Sequence, residues 1–298
     1  MTVTIGVHSS NPSLYHLYHL SRLGFAQEEL AALDETVAFF PYTDGVRTGE
    51  LLTEGVIDFG GTGSTPPVTA QAAGHDLVYT AVSAPRPGHG ALLVPEDSPV
   101  RTVAGLKGAT VHLAIGSWQT HLIAKALDDA GLSYAEDITA VRSNADSERL
   151  LRAGEIGAWV AQGPDLAAAR RTGGLRTLVA TGDVISDRSV FFTRRDFAEN
   201  RPEVVEALTR ALRRADDWAA ANPRAAAEIA AADLGGSADD WETALRALPW
   251  TIEAVSDAFI AEQQEAADIF HRTGFIDRPV EVAGARARVT GATGPKGA

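Results

Sequence analysis

The sequence contains no cysteine. That absence excludes disulfides, thiolate metal sites and cysteine nucleophiles together, and it suits either a reducing or an oxidising compartment. No stretch reaches the roughly 18 uninterrupted apolar residues of a membrane-spanning helix. Basic residues are in deficit: 26 Lys and Arg against 39 Asp and Glu give a net charge of −13. Such an acidic balance argues against nucleic acid or an anionic membrane as partner, yet says nothing about a ligand held in a cleft. The first residues lack the basic and apolar regions of a signal peptide, because Thr2–Gly6 already reads as a strand. The chain therefore reads as cytoplasmic if complete, and as periplasmic or cell-surface if a leader has been removed.

What is present is an ordinary globular composition, 45% hydrophobic and 22% charged over 298 residues, long enough for two domains. The chain is organised around Thr110-Val-His-Leu-Ala-Ile-Gly-Ser-Trp-Gln119. Its first six residues read as a buried strand, and a helix with Leu122, Ile123, Ala126 and Leu127 on one face follows. Only Gly116-Ser117-Trp118 separates them. Glycine permits the sharp turn and serine is a good N-cap, so free backbone N–H groups face whatever lies beyond the strand.

Strands are expected at Val3–Val7, Val37–Phe40, Ile57–Phe59, Asp76–Val82, Ala91–Val94, Ala158–Val160, Leu175–Ala180 and Ser189–Thr193. Asn11 is placed to cap a helix that starts at Pro12, and Ser64 or Thr65 to cap another that runs through Ala73. Everything after Arg201 reads as helix, and the tail after Ala285 as disordered. A weak repeat, Leu51-Leu52-x-x-Gly55-x-Ile57 and Leu150-Leu151-x-x-Gly154-x-Ile156, suggests two similar lobes. With crossings at Pro85–Gly90 and Ser189–Thr193, lobe 1 is residues 1–86 plus 192–298 and lobe 2 is 87–191. Alternating strands and helices predict a mainly parallel sheet flanked by helices in each lobe, with a helical C-terminal region.

In open α/β sheets the ligand lies beyond the carboxyl ends of the strands. Four turns fall there: His8–Asn11, Thr62–Thr65, Gly116–Trp118 and Gln162–Asp165, two from each lobe. Any one of them is an ordinary βα turn. Together they form a site for a sulfonate, sulfate, nitrate or carboxylate held by neutral donors. Trp118 can cover the apolar part of such a ligand, and Asp165 can pair with an amino group on it.

The histidines suggest other chemistry. His16 and His19 are three apart on a helix, a metal-binding spacing, but no third ligand lies nearby in sequence and no metal is expected. His8 is a poor base for Ser9, because adjacent residues on a strand point to opposite faces. His8 and His121 remain candidate acid–base groups. Gly60-Gly61-Thr62-Gly63 lacks the lysine of a phosphate-binding loop, so no nucleotide cofactor is expected.

Asp58-Phe-Gly-Gly-Thr-Gly-Ser-Thr-Pro-Pro67-Val-Thr-Ala-Gln-Ala-Ala-Gly74 resembles a stretch of the substrate-binding proteins of aliphatic sulfonate, taurine and nitrate uptake systems. Leu93-Val-Pro-Glu-Asp-Ser-Pro99, Gly105-Leu-Lys-Gly108 and the Gly116-Ser117 turn are similar to the wider type II binding-protein superfamily. Phe259–Gln264 and Phe270–Gly274 resemble the sulfonate group's C-terminal helices. The resemblance implies a two-lobed type II solute-binding-protein fold closing over a ligand and delivery to an ABC permease, with no cofactor. It implies contacts from Ser10, Asn11, Thr62, Ser64, Ser117 and Trp118, with Gln162 and Asp165 beside them.

Ser64 stands where sulfonate binders often carry an acid. Ala114-Ile-Gly-Ser-Trp118 also resembles the biphenyl sulfinate desulfinases. Their cysteine would fall near Ser10 or Asn11 and their arginine near Asp58, and both are missing, so that mechanism cannot run. The expectation is a monomeric binder of a small organosulfonate or similar oxyanion. The alternative is a cytoplasmic lyase or hydrolase on the same fold, with His8 or His121 as acid–base.

Overall fold

Val3, Ile5 and Val7 alternate inward along the first strand, β1 (Thr2–His8), which pairs in parallel with β2 (Thr36–Tyr42). The computed structural model describes residues 1–286. Between these strands lie α1 (Pro12–His19) and α2 (Phe25–Ala31). Asn11 caps α1 as expected, its side chain accepting from the Leu14 N–H at 3.2 Å. The α2 helix has only Ala26 and Leu30 buried, too short a stripe to stand out in the sequence.

α3 (Thr48–Thr53) leads to β3 (Gly60–Thr62), α4 (Thr65–Ala73) and β4 (Leu77–Ser83). The strand expected at Ile57–Phe59 starts three residues later. Asp58 instead accepts the Thr4 N–H at 2.9 Å and donates its own N–H to the Thr4 carbonyl at 2.8 Å. Regular pairing begins only at Gly60, against the returning strand.

The second sheet collects β5 (Gly90–Pro95), β6 (Thr110–Leu113), β7 (Thr139–Arg142), β8 (Ala158–Gln162) and β9 (Leu175–Ala180), in the order β7-β6-β8-β5-β9. Its helices are α5 (Trp118–Asp129), α6 (Ser147–Arg152) and α7 (Gly163–Thr172). The chain returns through β10 (Val190–Arg194), which lies between β3 and β4. Then follow α8 (Arg195–Asn200), α9 (Pro202–Ala221), α10 (Pro223–Leu234), α11 (Ala238–Arg246), β11 (Ile252–Glu253) and α12 (Asp257–Arg272). The two-residue β11 interrupts the all-helical stretch expected after Arg201 by pairing with β4. The tail after Ala285 lies, apart from Arg286, outside the described residues.

Neither lobe has the mainly parallel sheet expected: the first divides into the parallel β1–β2 pair and an antiparallel sheet of order β11-β4-β10-β3, and the five-stranded sheet of the second is mixed. β10 runs antiparallel to β3 and β4, and β5 runs antiparallel to β8 and β9. These are the strands entered directly after each crossing, so they pair against the direction of the βαβ units around them. A bridge between Ile5 and Phe59, with the Gly6 N–H on the Phe59 carbonyl at 2.8 Å, ties β1 to the β3 segment.

The internal repeat is a repeat of geometry. Gly55 and Gly154 both have φ of 70°, and each follows a short helix in the same hydrogen-bonded turn. Packing of α9 explains much of the remaining core: Val204, Ala207, Leu208, Ala211, Leu212, Ala215 and Ala219 are buried at helical spacing. The stripe faces α1 and α2. The C-terminal helices also lean on the second sheet's helices, through Arg171–Asp240 at 2.8 Å and Arg272–Asp128 at 2.8 Å.

Candidate functional site

Gly116 turns the chain after β6 with φ of 83°, a conformation other residues rarely adopt. Ser117 then caps α5, accepting from the Gln119 N–H at 3.1 Å and donating to the Ala114 carbonyl at 2.7 Å. Its one hydroxyl proton is therefore committed to the turn. The Trp118 N–H, next in line, has no protein acceptor among the described residues. It is one of the orphan donors that a helix start leaves free.

A cavity of about 170 Å³ opens beyond this turn, bounded by His8, Ser10, Thr62, Ser117, Trp118 and Gln162. Four turns from the carboxyl ends of β1, β3, β6 and β8 thus converge on one space. Gln162 has a fixed orientation. The Trp118 Nε1–H can only donate, and it reaches Gln162 Oε1 at 2.9 Å; Gln119 Nε2 reaches the same oxygen at 2.9 Å. The Gln162 NH2 is left without a protein acceptor among the described residues. Trp118 consequently offers the cavity its ring and its backbone N–H, not its indole N–H.

His8 also has an assignable tautomer. Nε2 lies 3.0 Å from the Thr43 carbonyl and must donate to it, so Nδ1 accepts from the Ser10 N–H and hydroxyl. Burial pushes the imidazole below its ordinary value, although the Thr43 carbonyl and Asp44 pull the other way. The ring is neutral at pH 7.

Four of the expected residues do not border this cavity. Asn11 is fully buried and holds the start of α1. Ser64 has helical backbone angles and caps nothing; its hydroxyl meets His121 Nδ1 at 3.0 Å, and its carbonyl accepts from Gln263 Nε2 at 2.5 Å. His121 is buried on α5 between Ser64 and the Phe270 ring, where burial pushes it down to about 4. Asp165 is exposed in the first turn of α7. Among the described residues no group of three His, Cys, Asp or Glu side chains is placed to hold a metal. His16 Nδ1 bonds the Pro12 carbonyl at 2.8 Å, and His19 faces Asp233.

Sequence reasoning missed Arg142, Asp44 and Val46, which border the same cavity. Arg142 ends β7, a four-residue edge strand whose carboxyl end points where ligands lie in such sheets. That placement was the available signal, lost because the strand itself was not read. Val46 reaches over from the first lobe's loop: a Cβ at Gly116 would come within 2.7 Å of it. Gly63 is pressed in the same way, with Trp118 Cβ 2.9 Å from its own missing Cβ.

The two crossings run side by side behind Trp118. Arg86 and Asp187 form a buried ion pair at 2.9 Å, and His89 Nδ1–H donates to the other Asp187 oxygen at 2.7 Å. The His89 ring lies 5.1 Å from that of Trp118, and the six-membered edge of the Trp118 ring presses on Gly90, where a Cβ would come within 2.4 Å of it. The aromatic wall of the cavity is therefore braced by the crossing itself. No helix among the described residues is long and apolar enough to cross a membrane.

Comparison with known proteins agrees with this architecture. The family model described as NMT1/THI5 like matches residues 25–226. A protein of Escherichia coli (strain K12), named as an aliphatic sulfonates-binding protein, is 31% identical over 250 residues, covering 84% of this chain and 78% of that one. The crystal structure of the periplasmic aliphatic sulphonate binding protein SsuA from Escherichia coli is 29% identical, with a TM-score of 0.85 over 96% of this chain and 97% of that one. The alkanesulfonate-binding protein SsuA from Xanthomonas axonopodis pv. citri, bound to MOPS, is 27% identical with a TM-score of 0.80 over the same shares. The desulfurization enzyme DSZB, at 17% identity and a TM-score of 0.64, shares the fold alone.

Proposed function

The chain belongs to the NMT1/THI5-like family, and on that premise we propose that it captures a small organosulfonate between its two lobes and hands it to an ABC-type permease. The lobes are residues 1–86 plus 192–298, and 87–191. The protein works as a monomer and without a cofactor. The observation that carries the reading is the convergence of unused donors on one small cavity: the Trp118 N–H, the Gln162 NH2 and the Arg142 guanidinium. A sulfonate offers three acceptor oxygens and one negative charge, which suits a helix start flanked by a guanidinium. The Trp118 ring supplies an apolar wall for the alkyl part. Ser10 and Thr62 border the cavity from the first lobe as walls, because their hydroxyl protons already serve His8 Nδ1 and the Gly63 carbonyl.

A cavity of about 170 Å³ is small beside the roughly 300–1,000 Å³ of drug-sized pockets, so the ligand is a short-chain one. The naming of the relatives for aliphatic sulfonates agrees with that class. Titration calorimetry against short alkanesulfonates, sulfate and nitrate tests the reading. The expected result is micromolar or tighter binding of an alkanesulfonate. Arg142→Gln should weaken it roughly ten- to hundredfold, the worth of one hydrogen bond to a charged group. No binding of any of these anions in the micromolar range would refute it.

A further inference from the structure

A backbone N–H and an indole N–H can only donate, and one of each fixes the sense of two side-chain amides behind the cavity wall. The Ala114 N–H reaches Gln119 Oε1 at 2.7 Å. The NH2 of Gln119 is therefore turned the other way, onto Gln162 Oε1 at 2.9 Å. The Trp118 Nε1–H reaches that same oxygen at 2.9 Å. Gln119 is 3% exposed and does not border the cavity, whereas Gln162 does. The two amides thus form a relay with a single sense, running from the end of β6 through Gln119 to Gln162. Its outer end is the Gln162 NH2.

The shape of Gln162 does not itself require that sense. An amide turned by about 180° fills the same space and offers an acceptor in place of two donors. Resting on the sulfonate reading above, we infer that Gln119 is a positioning residue that sets the donor sense of the cavity by holding the Gln162 NH2 toward the ligand. Trp118 alone gives Gln162 Oε1 one bond, and Gln119 makes it two. Turning the Gln162 amide would break both bonds and set its NH2 against two donors at once. Gln119 can play this part only because Ala114 occupies its oxygen. The second residue of α5 therefore aims a side-chain donor at the same cavity that receives the Trp118 N–H from the first.

The test is calorimetry on the full chain with ethanesulfonate and ethanesulfonamide, from about pH 6 to about pH 8.5. The sulfonamide puts an NH2, a donor, where the sulfonate has an acceptor oxygen. Gln119→Glu sets a second acceptor against Gln162 Oε1 unless the new carboxyl carries a proton, and burial favours the protonated form. Each affinity is divided by that of the native chain at the same pH, so that His8, Asp44 and Arg142 cancel. For Gln119→Glu the ethanesulfonate ratio should stand near one at the acid end and fall by up to about tenfold per unit as pH rises. Gln119→Met removes both bonds and lets the Gln162 amide turn. It should lower the preference for ethanesulfonate over ethanesulfonamide by roughly threefold or more, at every pH alike. A residue that merely supported the fold would weaken both ligands equally. An unchanged preference in Gln119→Met, or native affinity of Gln119→Glu at the alkaline end, would overturn the inference and leave the sulfonate reading intact. Failure of the native chain to bind ethanesulfonate would instead remove that reading, and the inference with it.

Discussion

Replacing Asp187 with Asn is the sharpest probe of the crossing that braces the cavity. Asp187 has a φ of 42°, and Asn tolerates that left-handed conformation about as well as Asp, so the substitution removes charge without adding backbone strain. Arg86 has only 3% of its side chain exposed and Asp187 none, so the guanidinium would be left as a buried cation without a counter-ion. Breaking a buried pair from one side costs about 3–5 kcal/mol. For 298 residues the unfolding entropy is about 0.6 kcal/mol per kelvin, so the melting temperature should fall by ~5–8 °C at pH 7.

Burial alone would raise the Asp187 carboxyl, but Arg86 and His89 together outweigh it and hold the group below its ordinary value. A carboxylate depressed in the folded state stabilises above its unfolded value of 3.8 and loses that contribution as pH falls through the folded one. The gap between native chain and variant should therefore shrink in acid. Adding Arg86→Met, which removes the orphaned cation, should recover most of the loss. Circular-dichroism melts from pH 7 to pH 3 measure all of this. A drop below about 2 °C at pH 7, or a gap that widens in acid, would refute the argument.

Gly90→Ala should unseat Trp118, because the new Cβ would sit 2.4 Å from its ring and 2.9 Å from the Ala161 carbonyl. Overpacking of this kind costs ~1–3 kcal/mol, and a roughly tenfold loss of ligand affinity with an altered tryptophan spectrum should accompany it. Ser117→Ala should cost ~1 kcal/mol of stability through the lost cap, yet leave ligand affinity within about threefold, because the hydroxyl proton already serves Ala114. His16 and His121 are each pushed by burial from 6.5 down to about 4. The unfolded chain takes up these protons first, so stability should fall from pH 7 to pH 5 by ~2 kcal/mol for each histidine. Urea denaturation at the two values checks it; His121→Gln should remove about half the loss, and a flat profile would show the shifts to be wrong.

The β-branched spacing of Val3–Val7 and the helical stripe of α9 determined where those elements form, because burial of one face is written in local periodicity. The Asn11 and Ser117 caps and the paired Gly55 and Gly154 turns were equally legible, since each depends on a residue's own backbone freedom or side-chain reach. The family likeness and the convergence of four strand ends followed from these. Which capping residues face the ligand did not. Asn11 and Ser64 sit in the right turns but lie outside the cavity: Asn11 is buried with its Oδ1 on the Leu14 N–H, and partners far along the chain, His121 and Gln263, claim Ser64.

Arg142 lies on a four-residue strand whose pattern is too short to read alone, and it shares one cavity with Asp44 and Val46, almost a hundred residues away in the chain. The antiparallel entry of β5 and β10, and the Arg86–Asp187 pair between the crossings, likewise arise only when distant segments pack together. Local sequence thus determined the elements and the turns that begin them. Tertiary packing decided which polar atoms remain free, because a donor is available to a ligand only when no other part of the chain has already satisfied it.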